Sequence, residues 1–100
     1  MLTVYKYLVP LTDDYKYVVP LTADFSLELP MGAQILTFQA QRETPCIWAL
    51  VDPDARDSKR RFLLVETAYP IEQNAGALRY VGSAQVRGGS LVFHLFEVLS

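Results

Sequence analysis

Apolar residues recur with a period of two in short runs along almost the whole chain, and no stretch carries a convincing helical period. Phe25, Leu27 and Leu29 alternate with Ser26 and Glu28, and Leu36, Phe38 and Ala40 with Thr37, Gln39 and Gln41. Leu78, Tyr80, Gly82, Ala84 and Val86 alternate with Arg79, Val81, Ser83, Gln85 and Arg87. Successive side chains of an extended chain point to opposite faces, so each run predicts a strand with one buried face. Residues 46–51 (CIWALV) and 91–98 (LVFHLFEV) are apolar on both faces and predict the two central strands; residues 61–65 (RFLLV) predict another. Turn residues cut the runs at Pro30-Met31-Gly32, Arg42 to Pro45, Asn74-Ala75-Gly76 and Gly88-Gly89. Gly82 inside its run predicts a bulge or a sharp bend. A single turn of helix around residues 53–58 or 70–75 is all the helix the pattern allows. The fold expected is all-β: about eight short antiparallel strands in a small sandwich or a closed barrel.

The front of the chain is duplicated. Residues 5–14 read YKYLVPLTDD and residues 15–24 read YKYVVPLTAD, identical at eight of ten positions. Two copies of ten residues fall short of a solenoid. Each copy predicts a strand closed by a proline, which has no N–H to give to a ladder, followed by a Thr/Asp corner. The offset is even, so both copies present the same faces. Either the copies form a hairpin, residues 4–9 against 14–19, or one copy fills the first-strand slot and the other is an added edge strand or pairs with a neighbouring molecule.

One hundred residues suit a single domain with its own core, here residues 1–100. The 51% apolar share is high for so small a chain and predicts a homo-oligomer. A net charge of −2 is not that of a protein that tracks phosphates, so nucleic acid is not expected as a partner. The single cysteine rules out an internal disulfide and suits a reducing cytoplasm. No signal peptide and no run of apolar residues long enough to span a bilayer is read, so no membrane association is expected.

Few residues carry chemistry. His94 sits mid-strand between Phe93 and Leu95, where a buried histidine bonded to backbone or to a tyrosine is the ordinary case; a catalytic role needs a partner supplied by the fold. Cys46 reads as a small buried hydrophobe unless the fold brings it to His94. Asp52, Asp54 and Asp57 lack the Gly and terminal Glu of a calcium loop and read as a solvated turn. Arg56, Lys59, Arg60 and Arg61 either balance these three aspartates or grip an anion. Trp48 and the tyrosines suit a binding surface as well as a sheet. No phosphate loop, serine elbow or paired-carboxylate site is present, and neither a metal nor a cofactor is implied.

The segments YKYVVPLTADFSLELPMGAQIL, PCIWALVDPDA, RRFLLVETAYPI, LRYVGSAQV and GGSLVFHLFEV together resemble an uncharacterised family of small phage and prophage-borne proteins, a domain of unknown function. The PCIWALVDP and LVFHLFEV blocks are the most specific parts, and the resemblance covers nearly all of residues 15–99. The family pattern has one copy of the first strand where this chain has two. It reads GTGHP where this chain has Glu66-Thr67-Ala68-Tyr69-Pro70. The resemblance implies a mobile-element setting and the bacterial cytoplasm, and no chemistry.

The function expected is a non-catalytic binding module, a phage or prophage accessory protein acting on host defence through a host protein or a small anionic, nucleotide-like ligand. For an anion the candidate residues are Arg60, Arg61, Trp48 and His94. A structural or assembly protein of a virion is one alternative, and an enzyme using His94 is the other.

Overall fold

The computed structural model describes residues 1–9 and 22–99. Seven strands make up the described part: β1 (Thr3–Leu8), β2 (Thr22–Pro30), β3 (Gln34–Gln41), β4 (Thr44–Val51), β5 (Asp57–Glu66), β6 (Leu78–Val86) and β7 (Leu91–Val98). They form two antiparallel sheets, ordered β1-β4-β3 and β2-β5-β7-β6. The sheets stay open and separate, so of the two architectures expected the sandwich is correct. The expected eighth strand, the second copy of the repeat, lies outside the described residues, as does the hairpin between the copies.

The strands expected to be central are central: β4 lies between β1 and β3, and β7 between β5 and β6. Alternation decides which side chains meet. Ile47, Ala49 and Val51 of β4 and Phe38 of β3 face Leu29 of β2, Phe62 and Leu64 of β5, and Phe93 and Leu95 of β7 in one cluster. Phe25 stacks on Phe62 with ring centroids 5.6 Å apart. Among the described residues, helix is limited to single 3-10 turns at Ala75–Ala77, at the end of the 70–75 stretch, and at Arg87–Gly89; none forms at 53–58.

The turns follow their chemistry. Gly32 holds φ 83° between β2 and β3. The β3–β4 hairpin turns on Arg42 and Glu43, both with positive φ, as a two-residue hairpin between right-twisted strands requires. The Glu43 carboxylate accepts the Arg87 backbone N–H, which ties this turn to the one between β6 and β7. The bulge expected at Gly82 is present, as a register shift between Tyr80 and Gly82; a second, between Ile35 and Thr37, has no glycine to announce it.

The first copy of the repeat fills the slot beside β4. Its register runs from Thr3 opposite Val51 to Leu8 opposite Cys46, and the buried Val9 N–H then donates to the Pro45 carbonyl at 3.1 Å. Burial raises the pKa of the Tyr7 phenol, and the nearby Asp57 and Tyr5 push it the same way. The folded phenol therefore holds its proton more tightly than the unfolded one. Stability is full below the ordinary tyrosine value of 10.0 and falls as the pH climbs past it. Tyr7→Phe is expected to flatten this alkaline loss in urea titrations run at increasing pH; an unchanged slope would count against the assignment.

Candidate functional site

The four candidate residues do not converge. Trp48 alternates with core residues of β4 and so lies on the outer face of the three-stranded sheet. Arg60 shares the inward face of β5 with Phe62 and Leu64. Its Nε and Nη2 donate to the Glu97 carboxylate at 2.6 and 2.9 Å, and its Nη1 donates to the Ala33 carbonyl at 2.5 Å. The hydrogen bond to Glu97 raises the Arg60 pKa, against the opposite pull of burial. Arg61, one residue on, faces outward and donates to Asp24 at 2.7 Å. Neither arginine therefore balances Asp52, Asp54 or Asp57, because alternation sends their side chains elsewhere. The aspartate loop forms a local turn in which the Asp54 N–H donates to the Asp52 carboxylate at 3.0 Å.

Glu97 corrects a second reading. Strand β7 was expected to be apolar on both faces, yet it turns this carboxylate inward, where only 6% of the residue is exposed. A lone glutamate in an apolar run, opposite a run containing arginines, was the available signal.

His94 alternates with Phe93 and Leu95 and so points out of the four-stranded sheet, half-buried rather than buried as expected. Its Nε2 lies 2.8 Å from the Thr67 hydroxyl and its Nδ1 lies 3.2 Å from the Tyr80 hydroxyl. With the Thr67 hydroxyl proton on the Val92 carbonyl, Nε2–H donates to Thr67 and the Tyr80 hydroxyl donates to Nδ1, which holds the ring in place. Thr67 is itself held by β7: its N–H and its hydroxyl both reach the Val92 carbonyl, at 3.1 and 3.3 Å. Cys46 is buried on the outward side of β4 in the other sheet, with its thiol on the Thr44 carbonyl, so it does not meet His94.

This outer face has its own apolar floor, in which Leu63, Val65 and Val98 pack with Leu78 and Phe96. The chain after β5 passes over it and leaves two recesses that share Tyr69 and Ile71. One, of about 140 Å³, reaches Thr67, His94 and Phe96; the other, of about 490 Å³, reaches Thr22, Asp24 and Leu63. Thus His94 and the Arg61–Asp24 pair border one surface. A tyrosine partner for His94 was among the expectations; that it is Tyr80, and that Thr67 from the loop after β5 joins it, was not legible. A third recess, of about 320 Å³, lies over the Arg60–Glu97 pair beside Arg79 and Tyr80.

The wall of the groove is strained. The Tyr69 N–H donates to the Glu66 carbonyl, closing a turn in which Ala68 holds φ 76°. A side chain with a Cβ pays about 1–2 kcal/mol for that region, and glycine pays nothing comparable. Ala68→Gly is accordingly expected to stabilise the protein by about 1 kcal/mol, seen as a higher melting temperature; a lower one would show that the loop relaxes in solution.

The sequence profile of a domain of unknown function (DUF7352) matches residues 12–100. The chain belongs to this family. The family's stretch includes the second copy of the repeat, the groove and the Arg60–Glu97 pair, and leaves out residues 1–11. No curated protein and no solved structure matches the chain.

Proposed function

We propose that this DUF7352 protein is a non-catalytic binding module, a phage or prophage accessory protein in the bacterial cytoplasm, whose binding face is the outer side of the four-stranded sheet. The observation that carries the reading is the groove itself: an apolar floor with a few convergent polar groups, Thr67, His94 and Tyr80, at one end. Such a lining suits an apolar or aromatic side chain capped by a hydrogen-bonding group. It favours a host protein over a nucleotide-like anion, because Arg60 and Arg61 are each engaged by a carboxylate. Action on host defence extends this by analogy with other small phage proteins.

The test is co-purification from the bacterial host with wild-type protein and with a Tyr80→Ala/Ile71→Glu variant. Both positions are exposed, so the variant should stay folded and lose the partner. Equal retention would sink the reading, as would calorimetric binding of a nucleotide that disappears in Arg61→Ala.

Self-association is a second part of the proposal. Val4, Leu8 and Leu36 are exposed on the outer face of the three-stranded sheet around Trp48 and Leu50, and a second copy of the chain would cover them. Sedimentation should show a dimer that Leu36→Glu dissociates; a monomeric wild type ends this part.

The alternative, an enzyme using His94, draws support from hydroxyls beside both ring nitrogens, Thr67 at 2.8 Å and Tyr80 at 3.2 Å, distances over which a side chain passes a proton. Under that reading His94→Ala removes an activity and leaves the fold intact.

A further inference from the structure

We propose that the recess over the Arg60–Glu97 pair is a second binding site, which takes a singly charged carboxylate carried on a small apolar body. It shares no lining residue with the two recesses of the groove and meets that region through Tyr80, whose hydroxyl lies on His94. Strand pairing assembles it. Arg79 of β6 lies directly opposite Glu97 of β7, and directly opposed residues share a face, so Arg79 follows the inward-turned carboxylate. Arg60 reaches the same carboxylate from β5. Two guanidinium groups thus meet one carboxylate, and no other charged residue among the described ones lines the recess. One positive charge is left uncompensated.

Hydrogen-bond donors are left over as well. A guanidinium carries five N–H groups. Arg60 spends three of them, two on Glu97 and one on the Ala33 carbonyl, so one remains on each terminal nitrogen. Arg79 stands 3.9 Å from Glu97 Oε1, beyond hydrogen-bond reach, and makes no hydrogen bond among the described residues. The Arg79 side chain is 64% exposed, against 19% for Arg60 and 8% for Glu97. A fixed ion pair therefore lies at the base of the recess, with an open fork of donors at its rim.

Charge and lining choose the ligand. A single negative charge neutralises the recess. A phosphate dianion would bring its second charge against Glu97, which Arg60 holds in place. A planar carboxylate matches the guanidinium fork with two parallel bonds. Beside the charges, Ile35 and Val81 pack on the main core and reach the recess, where they offer the rest of the ligand an apolar wall. The volume of about 320 Å³ is at the small end of ligand clefts and suits a body of leucine size. Such a carboxylate occurs on a free branched acid and at the end of a peptide chain that closes on an apolar residue.

The probes are N-acetylleucine, its amide, isovalerate and inorganic phosphate, titrated into isotopically labelled full-length protein at low salt, where exposed charges are least screened. N-acetylleucine is expected to shift the Arg79 Nε–H and the backbone amides of residues 32–35 saturably in NMR spectra, and its amide to leave them unmoved. Isovalerate binding at least as tightly assigns the site to free acids, and weaker isovalerate binding assigns it to chain ends; both sustain the proposal. Arg79→Gln changes an exposed side chain and should leave the fold intact. It is expected to weaken N-acetylleucine about tenfold, the worth of one charge-assisted pair. Lys59→Gln removes the same charge from an exposed position outside the recess and is expected to change binding by less than about twofold. The absence of a saturable shift overturns the proposal. So do equal binding of the amide, phosphate binding as tight as that of N-acetylleucine, and equal losses in the two variants.

Discussion

Glu97→Ala is expected to destabilise the protein by about 3–5 kcal/mol, a large share of the roughly 5–15 kcal/mol that holds a domain of this size together. The carboxylate is nearly buried and takes two hydrogen bonds from Arg60, whose third goes to the Ala33 carbonyl. Removing Glu97 leaves a guanidinium at the edge of the core with its main counter-charge gone. The more exposed Arg79, 3.9 Å from Glu97, cannot compensate, since it carries the same sign. Replacing both partners, as Arg60→Met with Glu97→Leu, is expected to recover most of the loss, because the cost comes from the stranded charge rather than from a lost attraction. Urea unfolding of the three variants decides it. A Glu97→Ala loss under about 1 kcal/mol would mean that water reaches the pair.

Phe62→Ala should cost about as much, roughly 3–5 kcal/mol, by a different route. The Phe62 ring is fully buried on the inward face of β5 and stacks on Phe25 of β2. Its loss leaves a cavity between two sheets whose strands are held in register by their ladders, so the walls cannot collapse fully. Phe62→Leu refills most of the volume and is expected to lose less than half as much in the same unfolding measurement. Equal losses would show that stacking on Phe25, rather than volume, dominates.

Much of the fold was legible in the sequence because period-two alternation is a local property. It marked β2 with its inward face and the doubly apolar runs marked β4 and β7 as interior strands, but in β3 and β6 the inward face was right only beyond the bulges: Leu36, Leu78 and Tyr80 face outward, while Ile35 and Val81 turn to the core. Closure was not legible: whether the strands form one barrel or two sheets depends on pairings between distant segments, which alternation does not encode. The same limit applies to the site. His94 could be singled out by type, but Thr67 reaches it from a loop whose path over the sheet no local pattern records. Arg60 and Arg61 look alike in the sequence. Strand alternation alone sends one inward to Glu97 and the other outward to Asp24. The Ile35–Thr37 bulge was missed because no glycine marks it.

Gly82 bears on how the two layers move. β3 packs along β6, where a Cβ on Gly82 would sit in ordinary contact, 3.7 Å from the Phe38 carbonyl oxygen. The molecule is thus bound like a book, with its spine where these two strands meet and its leaves formed by the remaining strands of each sheet. Breathing motions should hinge on the spine and open the fore-edge, where β1 and β2 form the outer margins. The first two strands of the chain, β1 and β2, are then the ones that part most easily.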